Sequence, residues 1–288
     1  MKVYIDGQLY DKEQAKVSVF DHGYLYGDGV FEGIRSYARC VFKCKEHLNR
    51  LYDSAKVIML QIPLSVDEME SAMIATLKAN DLSDAYIRIV VSRGYGDLGL
   101  DPRKCKKATV VIITDAIALY PAQLYEKGLE IITVPTRRNS TEALNPQVKS
   151  LNYLNNIMGK IEAVNHGVQE AIMLNQEGYV TECTGDNVLL IKNNQLIGVP
   201  SWLGVLEGIT ENTVMDIARK MRLTCEKRPF TRYDIYTADE VMLTGTAAEV
   251  IPVVKVDGRP VGTGAVGPLT KRLIEEFRKS VSQDGVKY

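Results

Sequence analysis

Strand-like and helix-like segments follow one another in an irregular order along this chain of 288 residues, and that order limits the fold. The strand-like segments are rich in β-branched residues, and the helix-like segments carry apolar residues every three or four positions. In the first part of the chain we predict strands at 3–5, 8–10, 85–92 and 108–114 and helices at 46–60 and 66–78. A parallel sheet would require strands and helices to alternate regularly. The irregular order predicts an α+β fold.

The second part of the chain is richer in predicted strands. They lie at 129–134, 170–174, 179–182, 188–191 and 195–199, with helices predicted at 152–165, 210–221 and 268–281. Between these parts the strand pattern stops, and Pro121 and Gly128 favour an irregular connection. We therefore predict a small α+β domain at 1–115, an interdomain loop at 116–127 and a large α+β domain at 128–288. A cleft between two domains is the usual place for a small-molecule site.

Charge and composition exclude several classes of partner. The chain carries 35 Lys and Arg residues against 36 Asp and Glu residues, so no general basic field would hold nucleic acid. No apolar run approaches the roughly 18 to 20 residues of a membrane-spanning helix, and early charges argue against a secretory signal. Five sparse cysteines without a CxxC pair predict reduced thiols. We expect a cytoplasmic protein that binds neither nucleic acid nor membrane.

Motifs for metal, nucleotide and hydrolase sites are incomplete. Cys40, Cys44 and His47 would supply three metal ligands, but no fourth follows at zinc spacing, so we predict core packing and no bound metal. Gly27-Asp28-Gly29 lacks the third glycine of a dinucleotide-binding loop, and no phosphate loop ending in Gly-Lys-Ser/Thr occurs. No Gly-x-Ser-x-Gly elbow supports a serine hydrolase.

Lysine is the remaining strong nucleophile, and Lys149 is distinguished by its position. It follows the turn dipeptide Asn145-Pro146 and precedes Ser150-Leu151-Asn152-Tyr153, where a helix is predicted to begin. A lysine that projects from a loop into a cleft can form a Schiff base with a carbonyl carbon. Taken alone, the same residue also fits a solvated surface lysine, which is the commoner case.

Seven short motifs occur in a fixed order along the chain. They are DHGYLYGDGVFEGIR at 21–35, HLNRL at 47–51, YIR at 86–88, KSLNY at 149–153, ECTGDN at 182–187, LEGIT at 206–210 and GTAAE at 245–249. This set resembles the branched-chain amino acid aminotransferases and their fold-type IV pyridoxal-phosphate relatives, and it spans nearly the whole chain. The resemblance implies a two-domain fold-type IV aminotransferase architecture with a cofactor cleft between the domains.

The resemblance also implies pyridoxal 5'-phosphate as the cofactor and a role for each matching residue. Lys149, in the predicted large domain, would form the Schiff base and then move the proton between the substrate Cα and the cofactor. Glu182 would pair with the pyridine nitrogen and keep it protonated. Tyr153, about one helical turn after Lys149, would hydrogen-bond the ring oxygen. The remaining cofactor contacts are implied at Arg50, Ile209, Thr210 and Thr246 for the phosphate and at Leu206 for the ring.

The same resemblance implies a substrate site and an activity. Tyr26, Phe31 and Tyr86 match an aromatic pocket for the apolar side chain. The substrate carboxylate would be bound by the N–H groups of Thr246 and Ala247 with the Tyr86 hydroxyl, and Arg88 would accept the distal carboxylate of glutamate. The implied reaction is ping-pong transamination between leucine, isoleucine or valine and 2-oxoglutarate, a step of branched-chain amino acid biosynthesis. The partners are small amino acids and 2-oxo acids, and the chain would form a homodimer or higher homo-oligomer.

Other activities of the same fold are alternatives. D-amino-acid aminotransferases carry an Arg-x-His pair and usually a leucine in place of Tyr153, whereas 92–97 here contains no histidine. R-amine specificity stays open, because Arg93-Gly94 and Asp101-Pro102-Arg103 resemble compact prokaryotic relatives. Aminodeoxychorismate lyase fits less well, because the 31–35 and 245–249 motifs match the aminotransferases. A non-catalytic cofactor-binding protein is disfavoured because the lysine, glutamate, tyrosine and both phosphate motifs are all present.

Overall fold

The structure is a computed structural model, and it describes residues 1–116 and 120–288. These residues form two compact units. The first unit contains 1–116, Val148–Asn152 and Val281–Tyr288, and the second contains 120–147 and Tyr153–Ser280. Each unit combines helices with its own sheet, so the predicted α+β fold class is confirmed.

The structure assigns the following elements in the described residues. In chain order the strands are β1 (Lys2–Ile5), β2 (Gln8–Asp11), β3 (Gly29–Tyr37), β4 (Cys40–Phe42), β5 (Ala85–Ser92), β6 (Thr109–Asp115), β7 (Leu129–Thr133), β8 (Glu170–Leu174), β9 (Val180–Cys183), β10 (Asn187–Lys192), β11 (Gln195–Gly198), β12 (Thr224–Lys227), β13 (Glu240–Gly245), β14 (Glu249–Val256), β15 (Arg259–Pro260) and β16 (Gly285–Lys287). The helices are α1 (His22–Tyr26), α2 (Cys44–Val57), α3 (Val66–Ala79), α4 (Ala122–Lys127), α5 (Leu154–Asn165), α6 (Ile209–Lys220), α7 (Arg232–Tyr236) and α8 (Pro268–Ser280). Within the described ranges, none of these helices has the length and apolar character needed to cross a membrane.

The first unit is built on an antiparallel sheet of seven strands in the order β16-β4-β3-β5-β6-β1-β2. Helices α2 and α3 pack against this sheet. Their apolar stripes are fully buried, at Leu48 and Leu51 in α2 and at Met69 and Met73 in α3. Helical spacing therefore predicted the burial of Leu48 and Leu51 correctly, but Met59, which continued the same spacing in the predicted helix 46–60, follows the end of α2 and is 86% exposed.

The second unit contains a nine-stranded sheet whose main path is β12-β11-β10-β13-β14-β7-β8-β9, with β15 added beside β14. Asn187 of β10 also pairs with Glu182 of β9, which closes the strands from β10 to β9 into a ring. Every residue of β8 and β9 is buried. The ring closure holds Glu182 and Asn187 side by side.

The units differ from the predicted domains in two segments. The prediction assigned 128–288 to one domain, but Val148–Asn152 and Val281–Tyr288 belong to the first unit. The cause is main-chain pairing: the Phe31 N–H donates to the Lys149 carbonyl over 2.9 Å, and β16 pairs with β4. These long-range hydrogen bonds leave no mark in local sequence patterns.

The predicted interdomain loop at 116–127 is described only in part. Residues 117–119 lie outside the described residues. Of the rest, Ala122–Lys127 is the helix α4 and not irregular chain.

Candidate active site

Lys149 lies in an extended segment that runs beside β3. The Phe31 N–H donates to the Lys149 carbonyl over 2.9 Å, and the Leu151 N–H donates to the Gly29 carbonyl over 2.9 Å. On its other side, the Lys149 N–H donates to Ser54 Oγ of α2 over 3.2 Å. The Lys149 Nζ atom lies 4.6 Å from the centroid of the Phe31 ring. The main chain thus fixes the lysine beside an aromatic residue of β3.

The helical spacing expected for Lys149 and Tyr153 is not present. Helix α5 begins at Leu154, so Tyr153 is its N-cap residue and Lys149 is not helical. The segment is extended because its N–H and C=O groups pair with β3. Tyr153 remains a candidate cofactor residue on the family resemblance alone.

Phe31, Tyr86 and Arg88 form a cluster across β3 and β5. The Arg88 guanidinium carbon lies 4.5 Å from the Phe31 ring centroid, and its Nη2 donates to the Tyr86 hydroxyl over 3.0 Å. Tyr86 and Arg88 share a face because side chains alternate along a strand. Gly33 makes room for this arrangement, since a Cβ there would lie 2.1 Å from the Tyr86 hydroxyl oxygen. The cluster brings together three of the predicted substrate residues.

Tyr26, the fourth predicted aromatic or cationic substrate residue, lies at the end of α1. Its ring packs edge-on against His22 at 5.0 Å, and its hydroxyl accepts the Gly99 N–H over 3.0 Å. The side chain is 37% exposed. Its place in the substrate pocket therefore stays a prediction.

Arg50 is held by a buried carboxylate that sequence reasoning did not single out. Its Nε donates to Glu32 Oε1 over 2.6 Å and its Nη2 to Glu32 Oε2 over 3.0 Å. His47 Nδ1 lies 2.8 Å from the same Oε2. Burial alone would raise the pKa of Glu32, but Arg50 and His47 hold that pKa well below its usual range. Glu32 is therefore an anion and accepts from both neighbours.

His47 was considered with Cys40 and Cys44 as a metal ligand, and its contacts now explain its burial. All three residues are buried. Burial lowers the pKa of His47, so its imidazole is neutral at pH 7 and donates from Nδ1 to Glu32. Burial also raises the pKa of the Cys44 thiol to about 12, which keeps that thiol protonated. Within the described ranges, no group of three or more His, Cys, Asp and Glu residues is arranged to hold a metal ion.

In the second unit, Glu182 lies in β9 and has a partner for each oxygen. Arg138 Nε donates to Oε1 over 2.7 Å, and the Leu206 N–H donates to Oε2 over 3.0 Å. Arg138 is itself held by Asn155, whose Oδ1 accepts from Nη1 over 2.9 Å. Both members of the Glu182–Arg138 pair are 7% exposed. The carboxylate predicted to pair with the ring nitrogen is thus held in place by Arg138, a residue that the sequence motifs did not indicate.

The predicted phosphate residues Ile209 and Thr210 are the first two residues of α6. Among the residues that the structure describes, no side chain caps this helix terminus. Its first N–H groups and the helix dipole favour an anion there. Gly208, the N-cap, allows Asn187 to approach closely, because a Cβ would lie 2.0 Å from Asn187 Oδ1.

Thr246 and Ala247 lie in the tight connection between β13 and β14. The connection is closely packed, since a Cβ on Gly245 would lie 2.1 Å from Asp186 Oδ1. This short turn lies at the end of two paired strands. It is the kind of position that can bind a carboxylate or phosphate.

The donor set fits pyridoxal 5'-phosphate. In the first unit, a lysine amine suits its aldehyde and the guanidinium of Arg50 suits its phosphate. In the second unit, the α6 terminus is also suited to a phosphate, and the Glu182 carboxylate is suited to a ring nitrogen. The Lys149 main chain, Arg50 and Glu182 are held by main-chain or buried side-chain contacts. Such prior placement is what a bound cofactor requires.

Residues 29–256 match the model of the family described as amino-transferase class IV, which is more than half of the chain. The chain belongs to the class IV aminotransferase family. This aminotransferase is therefore an enzyme, and aminotransferases of fold type IV use pyridoxal 5'-phosphate.

Individual relatives cover nearly all of this aminotransferase. A putative branched-chain-amino-acid aminotransferase of Methanocaldococcus jannaschii is 50% identical over 287 residues, 100% of this chain and 99% of that protein. The crystal structure of Escherichia coli branched-chain amino acid aminotransferase is similar with a TM-score of 0.95 at 33% identity, covering 99% of this chain and 96% of that one. A T.th. branched-chain amino acid aminotransferase complexed with N-(5'-phosphopyridoxyl)-L-glutamate has a TM-score of 0.92 at 36% identity, covering 98% and 94%. The predicted family and two-domain fold class are confirmed.

Proposed function

We propose that this aminotransferase transfers the amino group between branched-chain L-amino acids and 2-oxoglutarate by a ping-pong mechanism. The products would be branched-chain 2-oxo acids and L-glutamate. The observation that carries the proposal is the placement of the Lys149 amine 4.6 Å from the Phe31 ring, next to the Arg88–Tyr86 pair. An amine, an apolar wall and carboxylate donors thus occur together on one unit. The similarity to branched-chain aminotransferases over the full chain supports the same substrates.

The cofactor residues would act by binding and by holding protons. Bound pyridoxal 5'-phosphate supplies an aldehyde for the substrate amine and a ring that accepts the electron pair released at the substrate Cα. Lys149 Nζ would move the proton between the substrate Cα and the cofactor. Glu182 would hold a proton on the ring nitrogen. Arg50, Ile209, Thr210 and Thr246 would bind the phosphate, with Leu206 against the ring and Tyr153 at the ring oxygen.

The substrate residues would serve two chemically different side chains in turn. Phe31, Tyr26 and Tyr86 would surround an aliphatic chain, while Arg88 would pair with the distal carboxylate of glutamate. The α-carboxylate would be bound by the Thr246 and Ala247 N–H groups with the Tyr86 hydroxyl. A buried carboxylate without a partner is costly, so a cation such as Arg88 beside an aromatic wall suits this dual use.

The hydrogen bonds of Arg93 disfavour the alternative of a D-amino-acid aminotransferase. Its Nε and Nη2 donate to the two oxygens of Asp28 over 2.9 Å each, and Nη1 donates to the Met59 carbonyl over 2.8 Å. Its Nη2 also donates to the Ile58 carbonyl over 2.7 Å. With these contacts the guanidinium is committed to holding two loops of the first unit. This favours a different carboxylate donor and hence the L-amino-acid assignment.

A single-turnover panel tests the substrate class. The cofactor-loaded protein is mixed separately with L-valine, L-leucine, L-glutamate, D-alanine and R-phenylethylamine, and conversion of the bound cofactor is followed by absorbance. We expect the three L-amino acids to react at least about tenfold faster than the other two, a difference of about 1.4 kcal/mol in activation free energy. A preference for D-alanine or for the R-amine would overturn the branched-chain proposal.

We also propose that the active form is a homo-oligomer of at least two chains, located in the cytoplasm. Helix α5 carries an exposed apolar stripe with the spacing of one helix face, at Leu154, Ile157, Met158, Ile161 and Val164, each 47% to 69% exposed. Contiguous exposed apolar surface of this kind marks an association site. A second copy is the occupant we favour, because the stripe is long and free of charge. All five cysteines are unpaired, as expected for a reducing compartment.

Substituting the stripe should dissociate the oligomer. In Ile157→Glu/Ile161→Glu, two carboxylates would have to be desolvated at the association surface, so we expect a shift from oligomer to monomer. Sedimentation velocity measures the change. The matched control is Val57→Glu/Met59→Glu, an apolar pair that is 67% and 86% exposed and lies outside the stripe. A monomeric wild type, or an unchanged oligomer in the stripe variant, would contradict the proposal.

A further inference from the structure

Helix α2 presents three polar residues on one face toward β3 and the Lys149 segment. His47, Arg50 and Ser54 are separated by three and four positions, the spacing of one helix face. His47 and Arg50 contact Glu32, and Ser54 accepts the Lys149 N–H. One helix face therefore carries Arg50, the predicted ligand of the phosphate, and also contacts the main chain of Lys149, the predicted Schiff-base lysine.

Glu32 lies at the centre of this arrangement and is completely buried. Its Oε1 accepts from Arg50, and its Oε2 accepts from Arg50, from His47 and from the Gly33 N–H at 3.1 Å. Burying an ion pair contributes little to stability compared with apolar residues of the same volume. Because both oxygens of this fully buried carboxylate accept hydrogen bonds from Arg50 or His47, we expect Glu32 to fix the positions of those side chains.

We propose that Glu32, supported by His47, is the positioning residue for Arg50 and thereby sets the affinity of the site for the cofactor phosphate. This inference rests on the proposed function, in which Arg50 is a phosphate ligand. The guanidinium is a rigid planar fork, so fixing its Nε–Nη2 edge on Glu32 fixes the direction of its opposite edge. An arginine that is already oriented loses less side-chain entropy when the phosphate binds.

The same strand links this arginine to the lysine. Glu32 follows Phe31 in β3, so their side chains point to opposite faces of the strand. Phe31 pairs through its main chain with Lys149, while Glu32 holds Arg50 through its side chain. The spacing between the lysine and the phosphate ligand is therefore set by consecutive residues of one strand.

The test compares two ligands that differ only in the phosphate. Dissociation constants for pyridoxal 5'-phosphate and for pyridoxal are measured on cofactor-free protein by absorbance or fluorescence titration. In Glu32→Gln we expect the affinity for pyridoxal 5'-phosphate to fall about tenfold to hundredfold, the usual effect of removing a group that orients a ligand-binding residue. The affinity for pyridoxal should stay within about twofold of wild type, since it makes no phosphate contact.

Two further variants sharpen the comparison. His47→Gln keeps the Glu32–Arg50 pair. It should therefore lower the ratio of the affinity for pyridoxal 5'-phosphate to the affinity for pyridoxal by less than Glu32→Gln does. Glu46→Gln, on the same helix but with a side chain that is 49% exposed, is the matched control and should leave the ratio unchanged. Circular dichroism checks folding. If Glu32→Gln does not fold, Glu32→Asp, which withdraws the carboxylate by about 1.5 Å, takes its place with the same expectation.

Each outcome decides the proposal. An unchanged ratio in the folded Glu32 variant, or an equal loss of affinity for both ligands, would overturn the positioning role. Failure of the proposed function looks different, because the wild type itself would then show no measurable affinity for pyridoxal 5'-phosphate.

Discussion

Replacing Lys149 with alanine should abolish transamination and lower kcat/KM by at least about 10⁴-fold, or about 5 kcal/mol of transition-state stabilisation. In the proposed mechanism the reaction uses only the amine of this residue, because its main-chain N–H and C=O groups are bound to Ser54 and Phe31. Alanine preserves those main-chain bonds. The variant should therefore fold like the wild type while losing both the covalent link to the cofactor and the proton carrier.

Two measurements check this prediction. Absorbance spectra of the cofactor-loaded protein should show that the band of the lysine-linked cofactor is absent in Lys149→Ala, and steady-state assays with L-leucine and 2-oxoglutarate should show the loss of turnover. Lys271→Ala is the matched control, because Lys271 is exposed on α8. A Lys149→Ala protein that keeps the lysine-linked band and its activity would remove Lys149 from the mechanism.

Glu182→Gln should leave the cofactor bound but slow both half-reactions by roughly 10²-fold, the typical effect of losing one fixed electrostatic contact at a reacting group. The amide cannot hold a proton on the ring nitrogen as the carboxylate does. Single-turnover rates with L-valine and then with 2-oxoglutarate measure each half-reaction. Glu130→Gln, with a side chain that is 47% exposed in β7, is the control and should have no effect on either rate.

A second substitution at Arg138 distinguishes the catalytic effect of Glu182→Gln from its effect on stability. Glu182→Gln leaves the buried Arg138 guanidinium without its counter-ion, which should cost about 3 to 5 kcal/mol in the free energy of unfolding. The double variant Glu182→Gln/Arg138→Gln removes both charges, so we expect thermal stability to recover in part while the half-reactions stay slow. Recovery of the rates together with the stability would show that Glu182 acts only as a structural ion pair.

The sequence patterns predicted several elements closely and missed others, among them β3, β13 and β14. Strand 85–92 has the bounds of β5, and helix 66–78 is one residue shorter than α3. β3 was not predicted, although it carries Phe31 and Glu32, because its sequence GVFEGIRSY combines two glycines with two charged residues. It is a central strand because β4 and β5 pair with it on either side. Pairing across the sheet outweighed weak local propensity.

The family resemblance predicts which residues take part in the reaction, and it gives no information on how those residues are held. Its motifs, which include Arg50, Lys149 and Glu182, correctly indicated a class IV aminotransferase. The buried partners Glu32 and Arg138 were not identified, because an isolated Glu or Arg in a sequence normally indicates a solvated surface residue. Burial is the signal that distinguishes them, and burial is a property of the folded chain.

The fold class and the family could therefore be predicted from the amino-acid sequence. Periodic apolar residues indicate the α+β fold, because helix and strand spacing are local rules, and the ordered motifs indicate an aminotransferase and predict a reactive lysine through their resemblance to a known family. The tertiary structure alone decided that Lys149 is extended beside β3, and that Glu32 holds Arg50 while Arg138 holds Glu182. These ion pairs join residues 18 and 44 positions apart, and both form where water is excluded. A charge in such a place must find its partner in space, and no local pattern specifies which partner that is.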